Sequence, residues 1–248
     1  MFGIFKKKKE QQFFNRNYIG LHTDMHSHLL PGIDDGSPDL DTSVELIRGM
    51  MDAGYKKFIT TPHVYPDLFP NTNETILQAH AALTNRLQQE NINVELNAAA
   101  EYFIDDQFAE RLTNNEKLLT LHKNWVLFEI SFLSPPPDLN EVIFQMITCG
   151  YQPVLAHPER YNYYHQQKEA YHRFKDQGCL LQINLLSLAG YYGRSVQDAA
   201  RMLVKDQLVD LIGSDLHHTR HLQAMQNNLL MAEVDAILSS GRILNSTL

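Results

Sequence analysis

Ala53-Gly54-Tyr55-Lys56-Lys57-Phe58-Ile59-Thr60-Thr61-Pro62-His63 and Cys149-Gly150-Tyr151-Gln152-Pro153-Val154-Leu155-Ala156-His157 are two versions of one unit. In each, a helical pattern stops at glycine, a short apolar run follows, and a histidine stands where the run ends. Glycine suits the position after a helix because the left-handed backbone there carries no Cβ penalty. The apolar runs lack clean alternation, as expected of strands covered on both faces in a parallel sheet. The unit is therefore helix, turn, strand, and it recurs.

Strand-like runs fall at 19–25, 57–61, 94–99, 125–130, 153–156, 180–185 and 209–213. Helical spacing fills the gaps. Leu46, Ile47, Met50 and Met51 share a face, as do Val142, Ile143, Met146 and Ile147. Ile76, Ala79, Leu83 and Leu87 do the same within the longest helical segment, 73–91. Thr42 with Glu45 reads as a capping box. Gly178, like Gly54 and Gly150, precedes a strand. No linker divides the chain, so the expectation is one α/β, barrel-like domain over 18–248, with a basic arm over 1–17.

The 248 residues carry a net charge of −8, and 12 histidines are counted as neutral in that figure. A hydrophobic share of 44% is enough for a core and excludes wholesale disorder. The acidic balance argues against nucleic acid as a bulk partner. No apolar run approaches the ~20 residues of a membrane span. Cys149 and Cys179 cannot form a disulfide framework and point to a reducing compartment, so a cytoplasmic location is expected. Met1–Phe5 is an apolar stub followed by Lys6-Lys7-Lys8-Lys9, the reverse order of a secretory signal. Two readings of these lysines stand: a frayed arm, and weak contact with an anionic membrane surface, where each adds ~1 kcal/mol.

The unusual polar residues gather at strand ends. In order they are Asp24-Met25-His26-Ser27-His28, Thr61-Pro62-His63, Glu101, Glu129, His157-Pro158-Glu159-Arg160 and Ser214-Asp215-Leu216-His217. In a closed parallel barrel these ends share one rim, where barrel active sites are built. Strand six ends differently, in Gln182-Ile183-Asn184. Imidazoles mixed with carboxylates suit zinc, iron or manganese, whereas a calcium site takes oxygen ligands alone. In an extended segment His-x-His aims both rings the same way. Each residue alone has an ordinary structural explanation, such as a hydrogen-bonded core histidine or an ion-paired glutamate. Together they do not, because buried carboxylates and imidazoles crowded on one rim are costly without cations.

This constellation resembles the PHP (polymerase and histidinol phosphatase) superfamily, and within it the bacterial capsule-associated protein-tyrosine phosphatases. The resemblance runs from about Leu21 to Arg220 and is most specific at Asp24-Met25-His26-Ser27-His28-Leu29-Leu30-Pro31-Gly32-Ile33-Asp34-Asp35-Gly36. It implies a distorted TIM-like (β/α)7 barrel with three divalent metal ions, manganese first, iron or zinc as alternatives. The resemblance implies that His26, His28, Glu101 and Asp215 hold one ion, with Glu101 bridging to a second bound by Glu129 and His157. Asp35, His63 and His217 would hold the third. It implies in-line attack by metal hydroxide on a phosphotyrosine monoester, without a phospho-enzyme. The implied partner is the tyrosine-rich tail of a membrane tyrosine autokinase that controls capsule or exopolysaccharide synthesis.

Arg160, three residues past a ligand, is the first candidate for a phosphate clamp; Arg220 is the second and Arg194 a third. Tyr161, Tyr163, Tyr164, Tyr191 and Tyr192 lie in loops on the same rim, either as walls for a phosphotyrosyl ring or as packing on the barrel edge. Ser134-Pro135-Pro136-Pro137 reads as a stiff connector, and His218 and His221 have no assigned role. Neither cysteine is followed six residues on by arginine, which excludes cysteine-based phosphatase chemistry. Nucleotide-binding glycine loops are missing too. The competing readings are a histidinol-phosphate or other small-molecule phosphatase, an amidohydrolase-type deaminase, and a non-catalytic metal-containing module.

Overall fold

A computed structural model describes residues 21–248. The basic arm and the start of the first strand-like run lie outside the described residues.

Among the described residues there are nine parallel strands: β1 (Thr23–Asp24), β2 (Lys57–Thr60), β3 (His63–Val64), β4 (Glu95–Ala98), β5 (Glu101–Phe103), β6 (Trp125–Glu129), β7 (Gln152–Ala156), β8 (Leu180–Asn184) and β9 (Leu211–Gly213). They form a three-stranded sheet, β1-β2-β4, and a six-stranded sheet, β3-β5-β6-β7-β8-β9. Seven of them match the expected runs, and β3 and β5 are further short strands, each continuing one of those runs past a break. One break is at Thr61-Pro62, where proline cannot donate to the ladder. The other is at Ala99-Ala100.

Backbone bonds cross both breaks, from Ala99 N to Thr60 O at 2.8 Å and from Glu101 N to Pro62 O at 3.1 Å. The segment after β9 reaches back to that after β1, from Asp215 N to His26 O at 2.8 Å and from His28 N to Leu216 O at 2.9 Å. The pairings therefore run in chain order and return from the last strand to the first.

Helices cover the outside, chiefly α1 (Leu40–Asp52), α2 (Asn73–Gln89), α3 (Asp106–Thr113), α4 (Leu139–Thr148), α5 (Lys168–Asp176), α6 (Leu185–Leu188), α7 (Arg194–Lys205), α8 (Thr219–Met225) and α9 (Asn228–Ser239). Gly54, Gly150 and Gly178 have φ of +102°, +86° and +89°, the left-handed geometry expected of them. Two expectations need correction. The cap of α1 is Asp39, whose carboxylate accepts the Thr42 N–H, so Thr42 lies inside the helix and forms no capping box with Glu45. Ile147 is 41% exposed; α4 buries Leu139, Val142, Ile143 and Met146 instead, because its stripe begins one turn earlier.

Two apolar layers result. The larger lies between helices and strands. A smaller cluster draws Met25, Ile59, Ala99, Leu127, Val154 and Leu211 from strands all around the circuit, and forms its interior. Side chains along a strand repeat every two residues on one face. Two residues beyond Ala99 is Glu101, and two beyond Leu127 is Glu129. Leu180, Gln182 and Asn184 follow the same rule, so the apolar interior gives way to a polar floor one step along each strand.

Candidate metal centre

Glu101 sits at the middle of this floor, fully buried at the start of β5. Its Oε2 lies 3.3 Å from His26 Nε2, 3.5 Å from His28 Nε2 and 3.2 Å from His63 Nδ1. Its Oε1 lies 3.0 Å from His157 Nε2. Asp215 Oδ1 is 3.5 Å from both His26 Nε2 and His28 Nε2. Further out, Glu129 Oε1 is 3.0 Å from His63 Nδ1, and Asp35 Oδ1 is 3.4 Å from the Nε2 atoms of His63 and His217. All nine residues expected as ligands are therefore brought together.

Donor atoms of seven of them fall into three overlapping groups, each within 4.8 Å: His26, His28 and Glu101; His63, Glu101 and Glu129; and His28, Asp35, His63 and His217. Against the expected partition, Asp215 and His157 fall in none of these groups, and two histidines enter a group beyond their own. His63 joins the Glu101–Glu129 pair through Nδ1, and His28 approaches the Asp35 group. His157 stays at Glu101, with Glu129 Oε2 4.0 Å away.

The donor set suits divalent cations. Glu101 Oε2 and His63 Nδ1 are buried with no hydrogen-bond partner, although Oε2 faces three imidazole nitrogens. These groups converge on common points rather than on one another. Separations of 3.3–3.5 Å among His26, His28, Glu101 and Asp215 match the ~3.4 Å edge of a tetrahedron with bonds of about 2.1 Å. Without ions, protons supply the positive charge. Burial opposes ionising Glu101, yet the His26 and His63 imidazoles hold its carboxyl well below the usual range. Burial also opposes charging His63, and the His28 imidazolium repels it. Even so, Glu101, Asp35 and Glu129 raise it to about 10. Asp215 is depressed in the same way, against its burial, by His26 and His217.

A shell of polar residues aims the rings. The His28 Nδ1–H donates to Asp34 at 2.8 Å, which leaves Nε2 facing the centre. The same carboxylate accepts backbone N–H groups of Gly36 and His63, at 3.0 and 3.3 Å. His26 Nδ1–H donates to Gln182 Oε1 at 2.8 Å; Gln182 donates to Asn184, and Asn184 donates to Asp215 Oδ2 at 2.6 Å. Glu159, fully buried, accepts from Asn184 N and Ser187 Oγ and pins the turn that carries His157 and Arg160. A Cβ on Gly213 would stand 2.6 Å from His26 Cβ, so β9 passes His26 only as glycine. His157 and Asp215 have φ of +35° and +51°, left-handed values that cost non-glycine residues energy and mark functional sites.

Above the floor is a cavity of about 290 Å³, lined by the outer candidate ligands with Phe132, Arg160, Tyr192 and His221. Arg160 donates to Asp215 Oδ2 at 2.9 Å and lies against Phe132 and Tyr192. Arg220 is exposed on the first turn of α8 and is not among the lining residues; α8 starts at Thr219 and turns this side chain to solvent. Arg194 is exposed and paired with Asp198 one turn on. His221, one turn into α8, is buried and accepts the His217 N–H. Tyr161 is buried beneath the rim, Tyr164 packs against Tyr171 and Phe174, and Tyr163 braces the loop after β6.

Asp34, Gln182, Asn184 and Phe132 had no role in the sequence reading. Gln182 and Asn184 carried a usable signal, polar residues at alternate positions of an otherwise apolar strand. Phe132 carried none.

Similarity to known proteins agrees with this geometry. The tyrosine-protein phosphatase YwqE of Bacillus subtilis is 28% identical over 197 residues, covering 79% of this chain and 78% of that one. The tyrosine-protein phosphatase CpsB of Streptococcus agalactiae is 24% identical over 200 residues, covering 79% and 82%. A crystal structure of YwqE, described together with CpsB of Streptococcus pneumoniae as unique metal-dependent tyrosine phosphatases, superposes with a TM-score of 0.75. It is 26% identical and covers 89% of this chain and 96% of that one. Residues 22–231 match the family described as capsular polysaccharide synthesis, CpsB/CapC, and the chain belongs to that family.

Proposed function

We propose that the chain is a metal-dependent protein-tyrosine phosphatase, hydrolysing phosphotyrosine monoesters without a cysteine nucleophile. The observation that carries this reading is the gathering of nine imidazole and carboxylate side chains around the floor, Glu101 among them with four imidazoles on its two oxygens, and Arg160 beside them at the cavity wall. Three divalent ions are assigned, manganese first, with iron and zinc as alternatives that share this donor chemistry. His26, His28, Glu101 and Asp215 would hold the first. Glu101, Glu129 and His157 would hold the second, and Asp35, His63 and His217 the third. Divalent ions held there supply Lewis acidity toward phosphoryl oxygens and activate water near neutral pH.

The chain's own residues do the rest. Arg160 offers a guanidinium in fixed orientation to the non-bridging phosphoryl oxygens. Asp215 and the flanking aromatics hold it there before substrate arrives. Asp34 and Gln182 keep the His28 and His26 protons on Nδ1, so both Nε2 lone pairs face inward. Arg220, outside the cavity, is left to contacts with a protein substrate beyond the phosphorylated residue. Residues 18–248 form one catalytic unit. Membership of a capsular polysaccharide synthesis family supports a role in that synthesis; the substrate assigned is the phosphorylated tail of a membrane tyrosine autokinase, met in the cytoplasm. No helix among the described residues is long and apolar enough to cross a membrane.

Elemental analysis of the purified protein, combined with assays on phosphotyrosine peptide and histidinol phosphate, tests this. Bound divalent metal, preference for the peptide and loss of turnover in His157→Ala are expected. A clear preference for histidinol phosphate would overturn the substrate class, and no turnover of any phosphomonoester would favour a non-catalytic module.

A further inference from the structure

Phe132 is an exposed aromatic that is nevertheless held in place. It is 44% exposed and lines the mouth of the cavity. A single exposed phenylalanine needs no explanation, but this one stands on a braced loop. The Ile130 N–H donates to Tyr161 Oη at 3.1 Å, and Tyr163 Oη donates to Ser131 O at 2.7 Å. Beneath it, His157 stacks at 5.7 Å with an interplanar angle of 23°, and buried Tyr161 lies at 5.4 Å. Two tyrosine hydroxyls are therefore spent on fixing the residues just before a phenyl ring that solvent can reach.

Tyr192 is the second wall. Its ring centroid lies 4.5 Å from the Arg160 guanidinium carbon, and that of Phe132 lies 4.9 Å from the same atom. The Tyr192 hydroxyl is buried without a hydrogen-bond partner. Both rings line one cavity and share one cation, so their separation cannot exceed the sum of those two distances. Aromatic pairs favour centroid separations of about 4.5–7 Å, so a third ring entering over Arg160 reaches both walls.

We infer that Phe132 and Tyr192 form an aryl slot at the cavity mouth, which selects phosphate esters of aromatic alcohols over those of alkyl alcohols, with Arg160 fixed between the walls to meet the phosphoryl group. This deepens the phosphatase reading and rests on it. Selectivity then comes from ring contacts at the mouth, while the phosphoryl group is recognised by the floor.

The test is calorimetric binding of phenylphosphonate and methylphosphonate to the manganese-loaded protein. The two share a non-hydrolysable head group and differ in the ring. Wild type is expected to favour phenylphosphonate by about tenfold or more, as two aromatic contacts imply. In Phe132→Ala and Tyr192→Ala that ratio falls towards one with metal content unchanged, while Phe132→Leu, which keeps apolar volume without the ring, gives an intermediate ratio. A ratio unchanged in Phe132→Ala overturns the slot, as does a wild type that binds both compounds equally. If wild type binds neither, the phosphatase reading itself fails and the slot falls with it.

Discussion

The two helix–strand units that look alike in sequence, 53–63 and 149–157, deliver their histidines by different routes. In the first, the strand breaks at Thr61-Pro62 and His63 opens a second short strand, β3. In the second, β7 runs unbroken to Ala156 and His157 turns sharply at φ +35°. Both histidines reach Glu101, one on each carboxylate oxygen, at 3.2 and 3.0 Å. His63 keeps some contact with solvent near Asp35, whereas His157 is 1% exposed. A repeated sequence unit thus fixes which residue arrives at the floor, and the local backbone decides how.

The largest expected effect comes from removing the carboxylate that joins the two. Glu101→Gln should lower turnover of a phosphotyrosine peptide by about 10³-fold and reduce bound metal, since a neutral amide would offer a cation no anionic oxygen. Steady-state kinetics beside elemental analysis checks both. Next is the orienting shell of the first unit: Asp34→Ala frees His28 Nδ1 and the His63 N–H together. Metal affinity should fall by about 10- to 100-fold in chelator competition, as for other residues that orient ligands.

The third prediction is a pH dependence with a definite sign. In the metal-free chain the His63 pKa is raised from 6.5 to about 10, so its stabilisation is complete below pH 6.5 and lost as pH rises towards 10. The depressed Glu101 and Asp215 carboxyls contribute above their ordinary range, near 4, and lose that contribution on acidification. Metal-free stability should therefore be greatest between about pH 4.5 and 6.5. Metal must displace the imidazole protons, so the rise in Tm on adding manganese should be larger at pH 8.5 than at pH 5.5. An equal or smaller rise at the higher pH would contradict the charge assignment.

The smallest effect separates the two units most cleanly. At the left-handed position 157, His157→Gly should be more stable than His157→Ala by about 1 kcal/mol, because alanine keeps the Cβ penalty. At position 63, in a strand, the order should reverse, with His63→Gly less stable than His63→Ala by about 0.5–1 kcal/mol. Denaturant melts of the four metal-free variants decide it. The same order at both positions would mean that the two histidines are carried alike after all.

Much of this was legible beforehand, for a physical reason. Apolar runs ending in His or Glu register the change from barrel interior to rim, and strand-end position is a one-dimensional property. Glu101 and Glu129 could be placed because each stands at the end of an apolar run. The breaks in the strands were not foreseen, although Pro62 marks one of them. Arg220 looked equivalent to Arg160 by spacing. One is the last residue of a 3₁₀ turn that keeps it at the wall, and the other sits on a helix that carries it outward. Phe132 and Tyr192 were invisible as a pair because only the folded circuit brings loops sixty residues apart onto one guanidinium.

The return of the last strand to the first also constrains biosynthesis. Asp24 accepts from Ser214, 190 residues later, and His26 and His28 share their groups with Asp215 and His217. While the ribosome is still adding that final segment, the nascent chain holds four imidazoles of the centre with no Asp215 to complete it. The groups that need Asp215 and His217 are therefore complete only near the end of translation, and a message truncated before Asp215 yields a protein that lacks both residues however well its earlier strands have paired.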